Sequence, residues 1–433
     1  MRKYKLITAL LAVVTFVSVA KADKLEDVDY YEAGGNYYCY PWLVDTPPQL
    51  TQAPEGYKPF HLEHYGRHGS RWHIGNYNYD KPYELLKKAH DDGQLTPLGE
   101  EVFAVVVDAR EEFKKGRDGE LSDKGAVQHK VIGRRMVQNF PEIFTPETNI
   151  DARSTVVIRS ILSMFNGLSG IQSLVPEINI TTDASAADMW YMNYTDTTMR
   201  RIKHHIDTTE LREFQIRHAN KGDYMKKLFK DQQYAQDSIG ASLFNPLFSL
   251  LVNTQSHYAQ PWIIEKVFTP EEARERWLCR NANWFVESGN SKITQNHQPF
   301  SQTNLLYNII ESADTAINSS NKSVNLRYGH DSIIMPLSCL LEIDEFGQEI
   351  NDLEELAEKG WHDYKAIPMG ANIQIVYYRP DNSLNPEDVL VKVLLNEREV
   401  TLPIEAVAGP YYNWNTLKDY YLQKLNKNKL TSL

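Results

Sequence analysis

The amino-acid sequence predicts an α/β fold in which a mostly parallel central sheet is flanked by helices and carries an inserted, mainly helical domain. Strand patterns occur before residue 80 and again after residue 320, whereas most segments between them have a helical pattern. Strands at both ends with helices between them favour one sheet assembled from the two ends of the chain. We expect residues 23–80 and 300–433 to form the α/β domain and residues 81–299 the helical insertion.

The first 22 residues have the pattern of a signal peptide. Basic residues precede the apolar run Leu6–Ala20, and Ala20-Lys21-Ala22 matches a small-residue cleavage site. A run of 15 apolar-rich residues is short for a membrane span, and no cysteine follows it closely to accept a lipid. We therefore expect a periplasmic or secreted product that begins near Asp23 and has no stable membrane anchor.

Charge and cysteine content narrow the choice of partners. Cleavage after residue 22 would remove four basic and no acidic residues and would move the formal net charge from −11 to −15. Nucleic acid is then not expected as a partner, because nonspecific affinity for it depends on basic charge. The three cysteines Cys39, Cys279 and Cys339 allow one disulfide at most and contain no C-x-x-C pair, so they indicate no zinc site.

The elements before residue 140 have clear local signals. Phe60–Tyr65 is predicted to be a short strand that leads into the glycine-containing stretch 66–69. Thr96 and Ser122 each follow a glycine-containing turn and are predicted helix N-caps. Pro97 suits the first position of its helix.

Strand patterns return in the last third of the chain. They cover Ser323–Tyr328, Ile373–Tyr378, Val389–Leu395 and Glu399–Leu402. These segments are rich in β-branched and aromatic residues. We expect them to join the strand at Phe60–Tyr65 in one sheet, with the catalytic pocket where the strand ends meet the helical insertion.

The segment HYGRHGSRW, residues 64–72, concentrates reactive chemistry after a strand. Arg67 and Arg71 are able to hold a phosphate with two guanidinium groups while the imidazole of His68 faces its phosphorus. Gly66 and Gly69 would allow the backbone to approach a ligand closely. A basic surface turn without function is the alternative interpretation of the same residues.

A metal site is a second alternative for this segment, because His61, His64 and His68 have ligand-like spacing. On a strand, however, His61 and His64 point to opposite faces, which makes joint coordination awkward. We therefore expect no metal and no other cofactor.

Four segments resemble the histidine phosphatase superfamily, in its acid phosphatase and phytase branch. RHGSR resembles the RHGxR signature, LSDKGAVQHKVIGRRM (121–136) the following helix, and ARSTVVIRSILSMFNGL (152–168) the arginine-bearing segment. YGHDSIIMPL (328–337) matches the closing His-Asp pair. The segments occur in the family's order, and GGNYYCYPW with HYGRHGSRW is most similar to bacterial members near the multiple inositol-polyphosphate phosphatases.

The resemblance implies a role for each site residue. His68 would be the nucleophile and Asp331 the general acid. The family pattern also implies three phosphate clamps, Arg67, Arg71 and Arg159, and a further phosphate donor, His330. The competing arginine, Arg153, is expected to make a structural pair instead.

The implied activity is hydrolysis of phosphate monoesters through a phosphohistidine intermediate, without metal. Its partner would be a small phosphorylated substrate such as an inositol phosphate or a sugar phosphate. Trp72 and His73 follow Arg71 where phytases often have x-Pro, which weakens a specific phytase assignment. Two alternatives remain: a noncatalytic binder of phosphorylated ligands or carbohydrates, and a phosphotransferase similar to phosphoglycerate mutase. Retention of both His68 and Asp331 disfavours the first, and the signal peptide with the His-Asp pair disfavours the second.

Overall fold

The computed structural model describes residues 28–43, 46–194, 197–220, 222–257, 263–381 and 383–431. The predicted signal peptide, residues 1–22, lies outside the described residues. Cys39, Cys279 and Cys339 are all described, and none of them forms a disulfide. Among the described helices, none combines the length and the apolar character needed to cross a membrane.

Strands in the described part of the chain form one large mixed sheet and a small two-stranded one. The strands are β1 (Tyr57–Arg67), β2 (Asn149–Ser154), β3 (Asn179–Asp183), β4 (Asn290–Ser291), β5 (Ser323–Gly329), β6 (Glu349–Ile350), β7 (Asn372–Pro380), β8 (Leu390–Leu395), β9 (Arg398–Glu399) and β10 (Tyr412–Asn413). The order across the large sheet is β10-β8-β7-β1-β5-β2-β3, with β9 paired to β8. Three of the strands predicted in the last third of the chain are β5, β7 and β8. Of the fourth predicted segment, Glu399–Leu402, only Glu399 lies in a strand, β9.

The two halves of the large sheet differ in strand direction. β1, β5, β2 and β3 are parallel neighbours, whereas β7 and β8 continue the sheet in antiparallel pairs. The α/β class with a helix-flanked central sheet is confirmed, but the sheet is half antiparallel rather than mostly parallel. The reason is that β7, β8 and β9 follow one another through short connections, which suit antiparallel pairing.

The helices flank the sheet and form the intervening region. They are α1 (Tyr77–Asp91), α2 (Pro97–Phe113), α3 (Asp123–Asn139), α4 (Ile158–Gln172), α5 (Met189–Met192), α6 (Thr197–His205), α7 (Thr209–Arg217), α8 (Asp223–Leu228), α9 (Gln232–Tyr234), α10 (Phe244–Asn253), α11 (Ile263–Val267), α12 (Pro270–Ser288), α13 (Thr303–Ile317), α14 (Asp331–Leu340), α15 (Asp363–Ala366) and α16 (Trp414–Thr431). Thr96 and Ser122 cap α2 and α3 as predicted, each hydroxyl accepting a hydrogen bond from a glycine N–H.

Residues 81–299 contribute to the sheet as well as to the helical region. β2 and β3 lie within this segment, and β2 pairs in parallel with β5. The expectation that the sheet is built only from residues 23–80 and 300–433 is therefore wrong in this respect. β2 has alternating buried and intermediate residues, but this pattern covers only six residues between two helical segments and is therefore hard to recognise in the sequence. The division into two domains stays a prediction.

The central sheet is covered on both faces. Along β7, Ile373 and Ile375 belong to one buried apolar cluster that includes residues of α13 and α14. Val376 and Tyr378 belong to a second cluster, with residues of α3 and α4. This alternation follows from the two-residue period of a strand. β1 lies beside β7 and has residues in both clusters, so the loop after β1, which carries His68, starts from a strand that is covered on both faces.

Candidate active site

Three parallel strands end at the same edge of the sheet. The last residue of β1, Arg67, is in register with Gly329 of β5, and Ser154 of β2 is in register with Tyr328. The next residues along these strands are His68, His330 and Thr155. The carboxyl edge of a parallel sheet is where α/β proteins usually place their chemistry.

The loop after β1 is held by backbone and side-chain contacts. The backbone N–H of His68 donates to Gly329 O at 2.9 Å. The backbone N–H of Gly69 donates to Ser163 Oγ of α4 at 3.1 Å, and that of Ser70 donates to Gln128 Oε1 of α3 at 2.8 Å. Two of the helices that carry the recognised motifs thus hold the loop that carries His68.

Gly69 allows a helix to pack closely on the loop after β1. A Cβ at this position would lie 2.4 Å from the backbone oxygen of Gly125 in α3. The absent side chain therefore allows α3 to pack directly on the loop, and the expected close approach to a ligand stays a prediction.

The imidazole of His68 is buried and neutral. Its Nδ1 lies 2.9 Å from Gly69 O, and because a carbonyl accepts, Nδ1 carries the proton and Nε2 keeps its lone pair. Burial lowers the pKa of His68 well below its ordinary value, and the charges of Arg67, Arg71 and Arg159 lower it further. A neutral imidazole with a free Nε2 has the form that a nucleophile requires.

The charges of the three predicted clamp arginines act on His68. Arg67 is completely buried, and its Nη1 donates to the backbone oxygens of Asn36 and Ile367, both at 2.6 Å. Arg71 Nη1 donates to Trp72 O at 2.8 Å. Among the described residues, the buried Nε atoms of Arg67, Arg71 and Arg159 have no hydrogen-bond partner. Buried donors without partners favour an anionic ligand at this point.

His330 faces His68 across the site. The two ring centroids are 5.8 Å apart and the rings are nearly perpendicular. His330 Nε2 lies 3.1 Å from Thr155 Oγ1. Burial, followed by the charge of Arg159, lowers the pKa of His330 to about 4, so the ring is neutral at neutral pH.

Asp331 is paired with a clamp arginine. Its Oδ2 lies 2.8 Å from Arg67 Nη2, as a charge contact without an aligned hydrogen bond. Burial by itself raises the pKa of Asp331, but Arg67 and the amide of Asn36 outweigh it and lower the pKa to about 2. The carboxyl group is therefore ionised at neutral pH in this arrangement.

Arg153 makes the structural pairing that was expected for it. It forms salt bridges with Asp151 at 2.8 Å, Asp183 at 3.1 Å and Asp188 at 3.4 Å. Arg159, on the first turn of α4, instead has the charges of Arg71 and Asp331 acting on it. The geometry thus separates the two candidate arginines, although the assignment of roles stays a prediction.

Sequence reasoning missed Asn36, in the lead-in segment before β1. Its Nδ2 donates to Asp331 Oδ2 at 2.9 Å, and its Oδ1 accepts from Arg280 Nη2 at the same distance. Arg280 also lines a cavity of about 730 Å³ in the helical region. No local signal marks this asparagine, because the lead-in lies more than 290 residues before Asp331 in sequence.

The histidines before the loop have other partners than a metal. His61 Nε2 lies 2.8 Å from Glu63 Oε1, and His64 packs against Tyr328 with ring centroids 5.0 Å apart. Among the described residues, no three His, Cys, Asp or Glu side chains are grouped closely enough to hold a metal ion.

Solved structures with the same fold include a multiple inositol polyphosphate phosphatase and two phytases. The Bifidobacterium longum multiple inositol polyphosphate phosphatase in complex with inositol hexasulfate matches with a TM-score of 0.68 at 18% identity, covering 90% of this chain and 97% of that one. The phytase from D. castellii matches with a TM-score of 0.65 at 15% identity, covering 96% of this chain and 90% of that one. The apo phytase of Hafnia alvei matches with a TM-score of 0.52 at 13% identity, covering 86% and 98%.

The family model of the histidine phosphatase superfamily, branch 2, matches residues 66–396. This match includes the loop with His68, the three candidate arginines and the His330-Asp331 pair, and it extends through β7 and β8. The chain therefore belongs to the histidine phosphatase superfamily, branch 2, and is a phosphoric monoester hydrolase of the histidine acid phosphatase and phytase type.

Proposed function

We propose that this hydrolase cleaves phosphate monoesters through a phosphohistidine formed on His68. The observation that carries the proposal is a neutral imidazole whose Nδ1 is bound to Gly69 O and whose pKa is lowered by burial and by the charges of three nearby arginines. The unpaired Nε atoms of those arginines supply donors for the oxygens of a phosphoryl group. Electrostatic stabilisation of this kind accounts for much of the catalysis of phosphoryl transfer.

The reaction has two displacements. In the first, Nε2 of His68 forms a bond to phosphorus while the ester P–O bond breaks, and the leaving alkoxide takes a proton from Asp331. In the second, water attacks the phosphohistidine, Asp331 accepts the proton of that water, and the P–N bond breaks to release phosphate. Splitting the reaction in this way replaces one difficult step by two easier ones.

Asp331 must gain a proton before the first step. In the unliganded site it is ionised and paired with Arg67. A bound phosphate places negative charge beside the carboxyl group and competes for Arg67, and both effects raise the pKa of Asp331. The second pKa of a phosphate monoester is about 6, so in mildly acidic solution the substrate monoanion carries the proton that Asp331 lacks.

We further propose that the substrates are small and phosphorylated, with inositol polyphosphates as the first class to test, and that the chain is exported. The likeness to a phosphatase solved with inositol hexasulfate supports the substrate class. The charge and cleavage pattern of residues 1–22 supports export to the periplasm or the medium.

The test of the mechanism is removal and trapping of the nucleophile. His68→Ala should reduce phosphate release by several orders of magnitude with an unchanged circular dichroism spectrum, because no other group forms the covalent bond. His90→Ala is the matched control, since His90 is an exposed histidine paired with Glu100. Radiolabelled substrate quenched in alkali should label the parent and the control but not His68→Ala. Activity of His68→Ala within tenfold of the parent would refute the proposal.

Two further measurements address cofactor, substrate and location. A chelator should leave the rate unchanged, and a loss restored by zinc or magnesium would contradict metal-free catalysis. A phosphate-release panel with inositol phosphates, sugar phosphates and nucleotides would rank the substrates. Fractionation of cells that express the full chain, with amino-terminal sequencing of the product, would show whether cleavage occurs near Ala22.

A further inference from the structure

Asn36 contacts three residues of the site, Asp331 and Arg280 through its side-chain amide and Arg67 through its backbone oxygen. It lies in a short 3-10 helix, Glu32–Tyr37, and only 6% of its surface is exposed. Besides the side-chain bonds to Asp331 and Arg280, its backbone oxygen accepts from Arg67 Nη1 at 2.6 Å. A residue of the lead-in segment thus contacts both members of the Arg67–Asp331 ion pair.

Arg280 determines which way the amide of Asn36 faces. A guanidinium group offers only donors, so it binds the amide through Oδ1 and leaves Nδ2 directed at Asp331. The reversed amide would place two N–H groups against a cation and an oxygen against a carboxylate. The donor to Asp331 is therefore set by a residue on α12 that does not itself contact Asp331 in the described structure.

The backbone before Asn36 is adapted to hold this position. Gly35 has a φ of 57°, which side-chain-bearing residues rarely adopt, and a Cβ there would lie 2.4 Å from Asp363 Oδ2. Asp363 is itself held by Trp277 Nε1 of α12, at 2.9 Å. The turn is consequently fixed against α12 and α15, the first of which also carries Arg280.

Asn36 also decides where a proton on Asp331 can lie. In the unliganded site Oδ2 of Asp331 contacts both Asn36 Nδ2 and Arg67 Nη2, while Oδ1 accepts from the backbone N–H of Ser332. When a phosphate draws Arg67 away, Asn36 still occupies one lone pair of Oδ2. The lone pair that faced Arg67 is then the one on Oδ2 that can take a proton.

We propose that Asn36 is a positioning residue for Asp331 and that Arg280 acts on Asp331 through the Asn36 amide. The proposal rests on the proposed function, because it takes Asp331 as the proton donor. It assigns to the lead-in segment a part in catalysis that neither the catalytic motifs nor the sheet edge supplies. It also couples the helical region, which carries Arg280, to the step in which the leaving group is protonated.

The test compares two esters that differ in their need for a proton. Asn36→Leu keeps the size of the side chain and removes the donor. It should lower kcat/KM for an alkyl ester such as glycerol phosphate about tenfold, the effect of about 1.4 kcal/mol from one misplaced hydrogen bond. It should change kcat/KM for nitrophenyl phosphate much less, because nitrophenolate leaves without protonation.

The pH profile and a double-mutant cycle distinguish positioning from general damage. Loss of the donor should move the alkaline limb of kcat for the alkyl ester to higher pH, since the hydrogen bond favours the ionised carboxylate. Arg280→Met should act in the same direction, and the Asn36→Leu, Arg280→Met double variant should be no worse than Asn36→Leu alone. Arg274→Met, on the same helix but bonded to Glu275, is the control and should change neither ester.

Two outcomes would overturn the proposal: equal losses for both esters in Asn36→Leu, or additive losses in the double variant. If Asn36→Leu does not fold, Asn36→Ala replaces it, because it removes the donor to Asp331 without placing a second carboxyl group beside it. Its alkyl-ester rate should then fall selectively as well. Labelling of His68 in each variant reports the proposed function separately, since a positioning defect slows the transfer of phosphate without abolishing it.

Discussion

At the scale of single residues, one guanidinium has two competing tasks. Arg67 pairs with Asp331, and in the proposed mechanism it also binds the phosphate. The pKa of Asp331 is about 2 because this arginine and the Asn36 amide outweigh the opposing effect of burial. In that mechanism, substrate binding must release Asp331 from its ion pair before it can donate a proton. The protonation state that the mechanism requires would then arise only in the complex with substrate.

Replacing Asp331 tests that view of the proton donor. Asp331→Asn should slow hydrolysis of alkyl phosphates far more than formation of the phosphoenzyme from nitrophenyl phosphate, because only alkoxides need protonation. Dephosphorylation should slow as well, so that phosphohistidine accumulates on His68. The measurement is kcat/KM for both ester classes, with Arg67→Ala as the comparison that should depress both alike. Equal losses for the two esters in Asp331→Asn would exclude it as proton donor.

A second residue-scale prediction separates Arg159 from Arg153. Arg159→Ala should lower kcat/KM for every ester by about 100-fold, the usual order for one lost charge-stabilising donor, with little change in thermal stability. Arg153→Ala should instead lower thermal stability and leave kcat/KM nearly unchanged, because the salt bridges of Arg153 with three aspartates are structural. Since those pairs are partly exposed, the stability loss should not exceed about 1 kcal/mol. Parallel kinetics and thermal melts of both variants would settle the roles, and a larger kinetic loss in Arg153→Ala would exchange them.

At the scale of elements, α3 and α4 position the loop after β1, which carries His68. Gln128 of α3 and Ser163 of α4 accept from consecutive backbone N–H groups of the loop. Gly125 in the first turn of α3 packs against Ser70, where a Cβ would lie 2.2 Å from Ser70 O. Through these contacts, two of the motif segments hold the loop that the first one forms.

Two N-caps with the same chemistry allow the role of α3 to be tested. Ser122→Ala and Thr96→Ala should each destabilise the protein by about 1 kcal/mol, because each hydroxyl accepts from a first-turn N–H. Only Ser122→Ala should also lower kcat, since Ser122 Oγ lies 3.0 Å from Ser70 O in the catalytic loop. Urea unfolding and steady-state kinetics of the two variants are the measurements. Equal kinetic effects would mean that the loop does not depend on this end of α3.

At the scale of the whole molecule, buried neutral histidines determine the response to acid. Burial lowers the pKa of His64 and His73 to about 3 and that of His129 to about 4. In the unfolded chain these groups have an ordinary pKa of about 6.5. Between that value and the folded pKa, the unfolded chain binds protons that the folded protein excludes. Stability is therefore complete above about pH 6.5 and decreases as the pH falls.

This balance predicts a steep loss of stability in acid. Each of the three imidazoles should cost about 1.4 kcal/mol per pH unit between pH 6.5 and its folded pKa. Glu63, whose pKa Arg327 and His61 lower to about 2 against the effect of burial, should add to the loss below its ordinary value of 4.5. Urea unfolding at a series of pH values measures the slope. A free energy of unfolding that is constant from pH 7 to pH 5 would contradict it.

The sequence by itself determined the α/β class, the strand before the loop that carries His68, and two helix caps. It also named six candidate residues for the site, whose roles stay a prediction. These features are local: a strand, a cap or a motif such as RHGSR depends on residues within a few positions of one another. The order of the four motif segments then identified the family, which the match over residues 66–396 shows independently.

Only the tertiary structure decided four features: the mixed strand directions of the sheet, the presence of β2 in it, the ion pair of Arg67 with Asp331, and the contacts of Asn36 with Asp331 and Arg280. Each depends on groups that are far apart in sequence, such as Asn36 and Asp331, which are separated by 295 positions. Strand pairing and the pKa of a buried carboxyl depend on which groups folding brings within a few ångströms, because burial and a nearby charge shift a pKa in opposite directions. The sum of such opposing effects has no signature in a local sequence pattern.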